Sequence, residues 1–583
     1  MKIQNSKFII LYNKDINKHH IFLDNILLEG GKEIDENFFI ILGNAYLGNK
    51  LVNKLWVVKK IKEKRYKDIE ELNGSFAIIF FNNDLNLTII TDRFLSKKIY
   101  FFENNEFTII SNNLVNISKF ALKKKVVTFN NINKNAIFEF LNFRRLYGEK
   151  TFFNNITLLK PATVYEINRD GTSKINFWVP KYDNFLSFDE AYVSLAENLV
   201  KSTSRFLNQE SSSSLLLSGG LDSRALLCAS KPDFCITVCP SKNNEANIAE
   251  SLAKKAGVPF KFFLSKENVF DNTLDKIVCE TDGEYSLVNT SFFQYKDEFQ
   301  KISKQFFLGL YLDVLFGGLY LPKTKIKFNG VDTTINILDK IKGDPADYFI
   351  NNVRYRMKKY NMKSIVKTEY VSSLYSIMYD EIKEYFNNSS EYSNNIYSQW
   401  ESLHLDPMSR HYSYAMVKSI ESFSPCAIPA FDNNLLDLSI KIHPKHKANS
   451  SVYKKAIKYL NPNLMNILNA NSNTRADYNE YLSTAIIFSK KIIRKFFNTE
   501  VKLPPIGSDR SWFSPSELIK KNFSLNQEIL NLKNSKIIDD LDIIDNIKLI
   551  NIIDEHFKGI QDNSILLLHL VTINIFFRNV FDM

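Results

Sequence analysis

Short apolar runs, five or six residues each, fill the first third of the chain: Phe38–Leu42, Phe76–Phe81, Leu87–Thr91, Lys98–Phe102 and Phe107–Ser111. They are rich in Ile, Phe and Thr. Polar turns such as Asn82-Asn83-Asp84 and Glu103-Asn104-Asn105 separate them, a spacing that predicts β-strands in layers up to about residue 180. The pattern then changes. Val179–Phe188 reads as a linker, and Ser187 with Glu190 forms a capping box opening an amphipathic helix through Phe206. Beyond it, strands at Leu215–Leu217, Phe234–Val238 and Pro259–Leu264 alternate with helices over Ser223–Ser230 and Asn244–Lys255. Strands spaced by helices imply a parallel, doubly wound sheet that gathers ligands at the carboxyl ends of its strands. The remainder, 335–583, reads as mostly helical with Asn-rich loops such as Asn387–Asn395. The expected organisation is two domains, 1–180 and 187–583, of α+β and α/β class.

The sharpest local signal is Ser218-Gly219-Gly220-Leu221-Asp222-Ser223, placed between the apolar run Leu215–Leu217 and a helix-compatible stretch. Two glycines let backbone approach a ligand closely. The first N–H groups of a helix and two serine hydroxyls face the same turn, a cradle suited to a polyphosphate. Asp222 offers a hard oxygen ligand for the Mg²⁺ that accompanies such a group. An ordinary strand–helix turn would explain a lone Gly-Gly pair but not six such residues in a row. A second carboxylate, Asp313, stands in the apolar run Leu308–Gly318, where it would be costly without a cation or partner.

The loop resembles the pyrophosphate-binding loop of the ATP pyrophosphatases, and most closely that of the asparagine synthetase family. Those enzymes activate a carboxylate as an acyl-adenylate, release pyrophosphate and admit an amine. The resemblance extends over most of the chain. Leu72-Asn73-Gly74-Ser75-Phe76-Ala77 and Thr91-Asp92-Arg93-Phe94 are similar to segments of the family's glutaminase domain, as is the run from Leu159 through Arg169-Asp170-Gly171 to Trp178. Leu308–Gly318 resembles its second magnesium motif, and Pro429–Asp437, followed by Ile442-His443-Pro444 and a helix Tyr453–Leu460, resembles an architectural segment. The implied fold is an Ntn-hydrolase-like layered domain followed by an adenine nucleotide alpha-hydrolase-like sheet. The implied cofactors are ATP and Mg²⁺. Carried over residue by residue, the resemblance places Leu216, Ser218, Gly219, Gly220, Asp222, Ser223, Val238 and Gly309 on the nucleotide, and Asp222 and Asp313 on the metal. Glu245, at a helix start, reads as a partner of the helix dipole.

The departures matter as much. Leu310 and Val314 replace acids of asparagine synthetases, and Tyr311 replaces a glycine, one residue from where β-lactam synthetase carries a catalytic tyrosine. Tyr311 is therefore a catalytic candidate. The lysine that relatives place after a proline like Pro462 is missing from Asn463–Thr474, leaving Arg475 as the nearest cation. Lys2 stands where the family's glutaminase carries its nucleophilic cysteine, and no cysteine precedes Cys228. The expectation is amide formation without glutamine, as in β-lactam synthetase and lasso-peptide cyclases.

Composition narrows this little. With 45% hydrophobic residues, the 583-residue chain can bury substantial cores, which excludes bulk disorder. The net charge of +11, thinly spread, admits an acidic partner such as a leader peptide or carrier without requiring one. Five scattered cysteines match neither a zinc site nor a disulfide framework. No secretory signal or transmembrane stretch is read from the chain, so a cytoplasmic enzyme without membrane insertion is expected. The substrates would be a carboxylate and an amine, on a peptide, a small acid or a sugar uronate. A tRNA-modifying enzyme and a catalytically inactive partner protein are the alternatives; a nucleic-acid partner is not expected.

Overall fold

The computed structural model describes residues 7–14, 18–23, 32–33, 38–81, 86–182, 184–207, 211–328, 330–357, 364–497 and 512–582. Lys2 and the turn Asn82-Asn83-Asp84 lie outside them. The layered β-region is two six-stranded antiparallel sheets. Alternation along one central strand, Leu72–Phe81, shows how they stack. Ala77, Ile79 and Phe81 point into a core shared with Phe8 and Ile10 of the other sheet. Phe76, Ile78 and Phe80 point the opposite way, under Val57 and Ile61 of the helix Lys54–Lys62. The outer face of the first sheet, through Ile9 and Ile109, packs on helices Leu114–Lys123 and Lys134–Phe143. The order is helix, sheet, sheet, helix.

That last helical layer is covered in turn by the C-terminal helix Ser564–Phe581, apolar on every side and 78% buried. Among the described residues it is the one helix long and apolar enough to cross a membrane, and its packing makes it a core helix here.

The second half holds a five-stranded parallel sheet, with strands β1 (Ser213–Leu216), β2 (Phe234–Cys239), β3 (Phe260–Leu264), β4 (Gln305–Phe307) and β5 (Cys426–Ala427) in the order β3-β2-β1-β4-β5. Both faces are largely buried at the central strands β1, β2 and β4. Leu215, Leu217 and Phe307 belong to one core, and Leu216, Ile236, Val238 and Phe306 to the other, which is why these strands read as continuous apolar runs. Helices α1 (Leu221–Ala229), α2 (Asn244–Ala256) and α3 (Leu312–Phe316) follow β1, β2 and β4. The expected helix from Ser187 is observed as Phe188–Phe206, its capping box formed by Ser187 and Glu190. Two expectations need correction. The stretch Asn387–Asn395 is not wholly a loop, because helix Thr368–Ser390 runs into it. A β-hairpin, Lys323–Phe328 with Val331–Leu338, interrupts what read as the start of a helical region.

The two halves are joined by buried polar contacts. Asp432 caps the helix Asn433–Ile440 through Asn434 N–H (2.8 Å), accepts from Asn73 Nδ2 (3.1 Å) and pairs with Arg205. Asn433 returns the contact, its N–H donating to Asn73 Oδ1 at 2.8 Å and its Nδ2 to Leu72 O at 2.8 Å. Arg93 pairs with Asp437 at 2.7 Å, and Phe94 stacks on Phe431 with centroids 4.7 Å apart. Segment 429–437 is thus architectural, the docking face for the Asn73-Gly74 and Asp92-Arg93-Phe94 segments. Deeper in, Lys98 lies 2.8 Å from both Asp282 and Glu284, and Arg410 completes that cluster.

Asp432→Ala would leave the Arg205 guanidinium, whose side chain is 7% exposed, buried without its partner. A loss on the order of 3 kcal/mol or more is expected, seen as a lower midpoint of thermal unfolding. An unchanged midpoint would remove this contact from the junction.

Candidate functional site

Strands β1 and β4 are neighbours whose following helices leave in opposite directions along the sheet, so a crevice opens between their carboxyl ends. The Ser218–Asp222 loop leaves β1 there, and Gly309–Asp313 leaves β4. The two loops touch through backbone. A Cβ on Gly309 would sit 2.5 Å from the Asp222 carbonyl carbon and 2.7 Å from Ser223 N, so only glycine lets them approach. The loop's bend is held internally. Ser218 N–H donates to Ser223 Oγ at 3.0 Å, and Gly220 N–H donates to Ser218 Oγ at 3.2 Å. From behind, buried Arg224 donates to the Gly219, Leu464, Ile467 and Leu468 carbonyls at 2.6–3.2 Å.

In front of the loop is an open cleft of about 210 Å³. Leu216, Ser218, Asp222, Ser223, Val238 and Gly309 line it, so six of the nucleotide candidates meet in one place. Gly219 and Gly220 form the bend beside them. Burial and the neighbouring Asp313 charge push the Asp222 carboxyl well above the usual carboxylate range, against a 2.9 Å hydrogen bond from the Tyr453 hydroxyl. Burial pushes Asp313 up to about 6, against the pull of Arg354, the Val314 N–H and Lys323. Two carboxylates that repel each other while desolvated are a site for a hard cation. Among the described residues there is no cluster of three or more His, Cys, Asp or Glu that could hold a metal. Mg²⁺ with a polyphosphate needs only one or two carboxylates, so the residues present fit it.

Two catalytic candidates are not brought here. Arg475 lies on the surface, its guanidinium bonded to Asp477 at 2.9 and 3.1 Å and to Asn466 at 2.6 Å, and it does not line the cleft. Tyr311 is buried with φ of +73°, its ring stacked on Phe431 at 5.3 Å within the core that meets Phe94. Its neighbour Leu310 faces the cleft instead.

Four other residues stand at the site. Tyr453 reaches Asp222 from helix Ser451–Leu460. Glu245 lines the cleft as more than a dipole partner. It is buried, accepts a hydrogen bond from the Gly219 backbone and is pushed up to about 7 by burial. Lys323, at the start of the hairpin, faces Asp313 and Glu480, and burial pulls its ammonium down to about 8. Arg354 adds a second positive charge near Asp313. The sequence marked Glu245 and Tyr453 only as helix residues. It gave no sign of Lys323, because nothing local announces the fold-back of the hairpin.

Two family profiles match the chain, one described as asparagine synthase over residues 194–463 and one as a glutamine amidotransferase domain over residues 56–178. Among solved structures, glutamine phosphoribosylpyrophosphate amidotransferase from B. subtilis, complexed with ADP and GMP, matches at 10% identity with a TM-score of 0.18, over 44% of this chain and 59% of that one. The structure of the allosteric regulatory enzyme of purine biosynthesis matches at 11% identity with a TM-score of 0.18, over 44% and 59%. This chain thus covers about three fifths of the length of those structures. No curated protein matches it.

Glu245 makes the site pH-dependent in a way that can be isolated. Its raised pKa keeps it largely protonated below about 7 and charged above. A carboxylate beside the phosphate cradle opposes an incoming polyphosphate, so binding takes up a proton. ATP affinity measured by calorimetry from pH 6 to 8.5 should weaken across about pH 7 in the wild type relative to Glu245→Gln. Parallel profiles for the two proteins would dismiss the role.

Proposed function

The chain belongs to the asparagine synthetase family, and from that premise we propose that it is an ATP- and Mg²⁺-dependent ligase. It activates a carboxylate as an acyl-adenylate and couples it to an amine without using glutamine. The observation that carries this reading is the pairing of Asp222 and Asp313 across the β1–β4 crevice, against a glycine-rich loop of ATP pyrophosphatase type. The first N–H groups of α1, rather than those of Ser218, Gly219 and Gly220 that are bonded within the loop and to Glu245, bind the β- and γ-phosphates. Leu216 and Val238 flank the base. Asp222 and Asp313 would hold Mg²⁺, which would supply positive charge where the departing pyrophosphate develops its own. The substrate carboxylate oxygen bonds to the α-phosphorus as the bond to the β-phosphate oxygen breaks. The amine then attacks the acyl carbon, loses a proton and displaces AMP.

Lys323 takes the place first given to Arg475. It faces Asp313 and makes no salt bridge among the described residues, so its charge is available to the phosphates. Independence from glutamine is supported within the first half of the chain. Asn73 is committed to Asp432 and Asn433, and Asp92 accepts from Phe76 N–H (2.8 Å), Phe94 N–H (2.7 Å) and Ser96. Asn73 is thus spent on the junction between the halves, and Asp92 on its own turn. The five cysteines are unpaired, in keeping with a cytoplasmic setting.

With its carboxylate and amine supplied, the protein should release AMP and pyrophosphate, separable by ion-exchange chromatography. Asp313→Asn should lower kcat on the order of 100-fold while changing ATP affinity far less, since the charge is most needed where pyrophosphate develops. ADP as the nucleotide product, or an unchanged kcat, would overturn the assignment.

A further inference from the structure

Next to the nucleotide cleft lies a second cavity of about 150 Å³. Phe292, Met416 and Trp512 line both, forming a common wall. Leu518 closes part of the far side. Trp512 and Leu518 lie beyond residue 463, where the asparagine synthase match ends, so the shape of this cavity comes partly from the chain's own C-terminal region. Trp512 meets Phe292 edge to face, centroids 5.2 Å apart at 87°, which fixes both rings. On the reacting side, Leu310 follows Gly309 and packs in the same apolar cluster as Met416 and Trp512.

Two buried polar atoms in this surround, Gln294 Oε1 and Ser265 Oγ, stand without a hydrogen bond among the described residues, and Gln294 Oε1 is the one that can only accept. Gln294 Nε2 donates to the Ser291 carbonyl at 3.0 Å, which fixes the orientation of the amide. Its Oε1 is buried and has no hydrogen-bond partner among the described residues. A buried carbonyl in that state is costly and calls for a donor. The cation that also lines the cavity, Lys266, is already paired with Glu298 at 2.6 Å. The cavity therefore asks for an apolar body with one donor and no net charge. A hydroxyl-rich or doubly charged body would place polar groups against Phe292, Met416 and Trp512 without partners.

We propose that this cavity receives the body of the acid that is activated, and that this body is apolar, ring-sized and bears one N–H or O–H donor for Gln294 Oε1. Acids of this class include N-acylated apolar or aromatic amino acids and peptide ends of that kind. The proposal rests on the ligase reading above and names its substrate class.

Four probes test it on the full chain: N-acetylphenylalanine, phenylbutyrate (which has the ring but no donor), N-acetylaspartate and glucuronate. Binding is followed by tryptophan fluorescence, with Trp512→Phe identifying the signal that comes from the cavity. N-acetylphenylalanine should bind about tenfold or more tightly than N-acetylaspartate and glucuronate, as expected for burying a phenyl ring. Gln294→Leu should remove its advantage over phenylbutyrate, and Met416→Arg, which fills the shared wall with charge, should weaken both. Equal or tighter binding of either polar acid would overturn the proposal. So would competition by adenosine for the same signal, which would give the cavity to the base. ATP–pyrophosphate exchange with the same acids is the separate arm. If no acid supports exchange while the binding order holds, the ligase reading falls and the cavity's preference stands.

Discussion

Two half-buried carboxylates whose charges repel each other are the constraint around which the second half of this protein is organised. Asp222 and Asp313 come from loops after different strands, and neither can ionise freely beside the other. Their approach depends on Gly309, whose lack of a side chain lets one loop lie on the backbone of the other. It also depends on the order β3-β2-β1-β4-β5, which makes β1 and β4 neighbours at the point where the connections diverge. Tyr453 offers Asp222 a hydrogen bond, and Lys323 and Arg354 offset the charge of Asp313. None of these neighbours removes the repulsion. A divalent cation with a polyphosphate would remove it.

The first half of the chain serves the same site at a distance. Its two-sheet sandwich does not stand apart, because its outer helices share a core with Ser564–Phe581 and its Asn73 and Arg93 bind segment 429–437. The stack Phe94–Phe431–Tyr311 ends at the residue that precedes α3, so the junction packs directly behind the Asp313 loop. Asn73, Arg93 and Phe94 thus form an interface that packs behind the Asp313 loop.

Much of this was legible in the sequence. The strands and helices from Ser187 to Leu264 fall within a few residues of expectation, because buried parallel strands and capped helices leave strong apolar and capping signatures. The nucleotide candidates from Leu216 to Gly309 converge as expected, since each sits at a strand end. What failed depends on long-range contact. Arg475 is the nearest cation by chain position, but its guanidinium is taken by Asp477 two residues away. Tyr311 lies one residue from the position where a relative carries a tyrosine, and that one residue turns it from the cleft into the core. Lys323 was invisible because a hairpin reached through Gly317-Gly318 carries it to the site. Glu245 looked like any acid in a first helical turn, and only its burial against Gly219 sets it apart.

The central claim is that the paired carboxylates exist to hold a cation with ATP. The most direct measurement is ATP affinity by calorimetry with Mg²⁺ and with chelator, for the wild type and for a variant carrying both Asp222→Asn and Asp313→Asn. Mg²⁺ should tighten ATP binding about tenfold or more in the wild type and have little effect in the variant, because charge-assisted contacts to the metal are lost while the loop remains. The same Mg²⁺ dependence in both proteins would contradict the account.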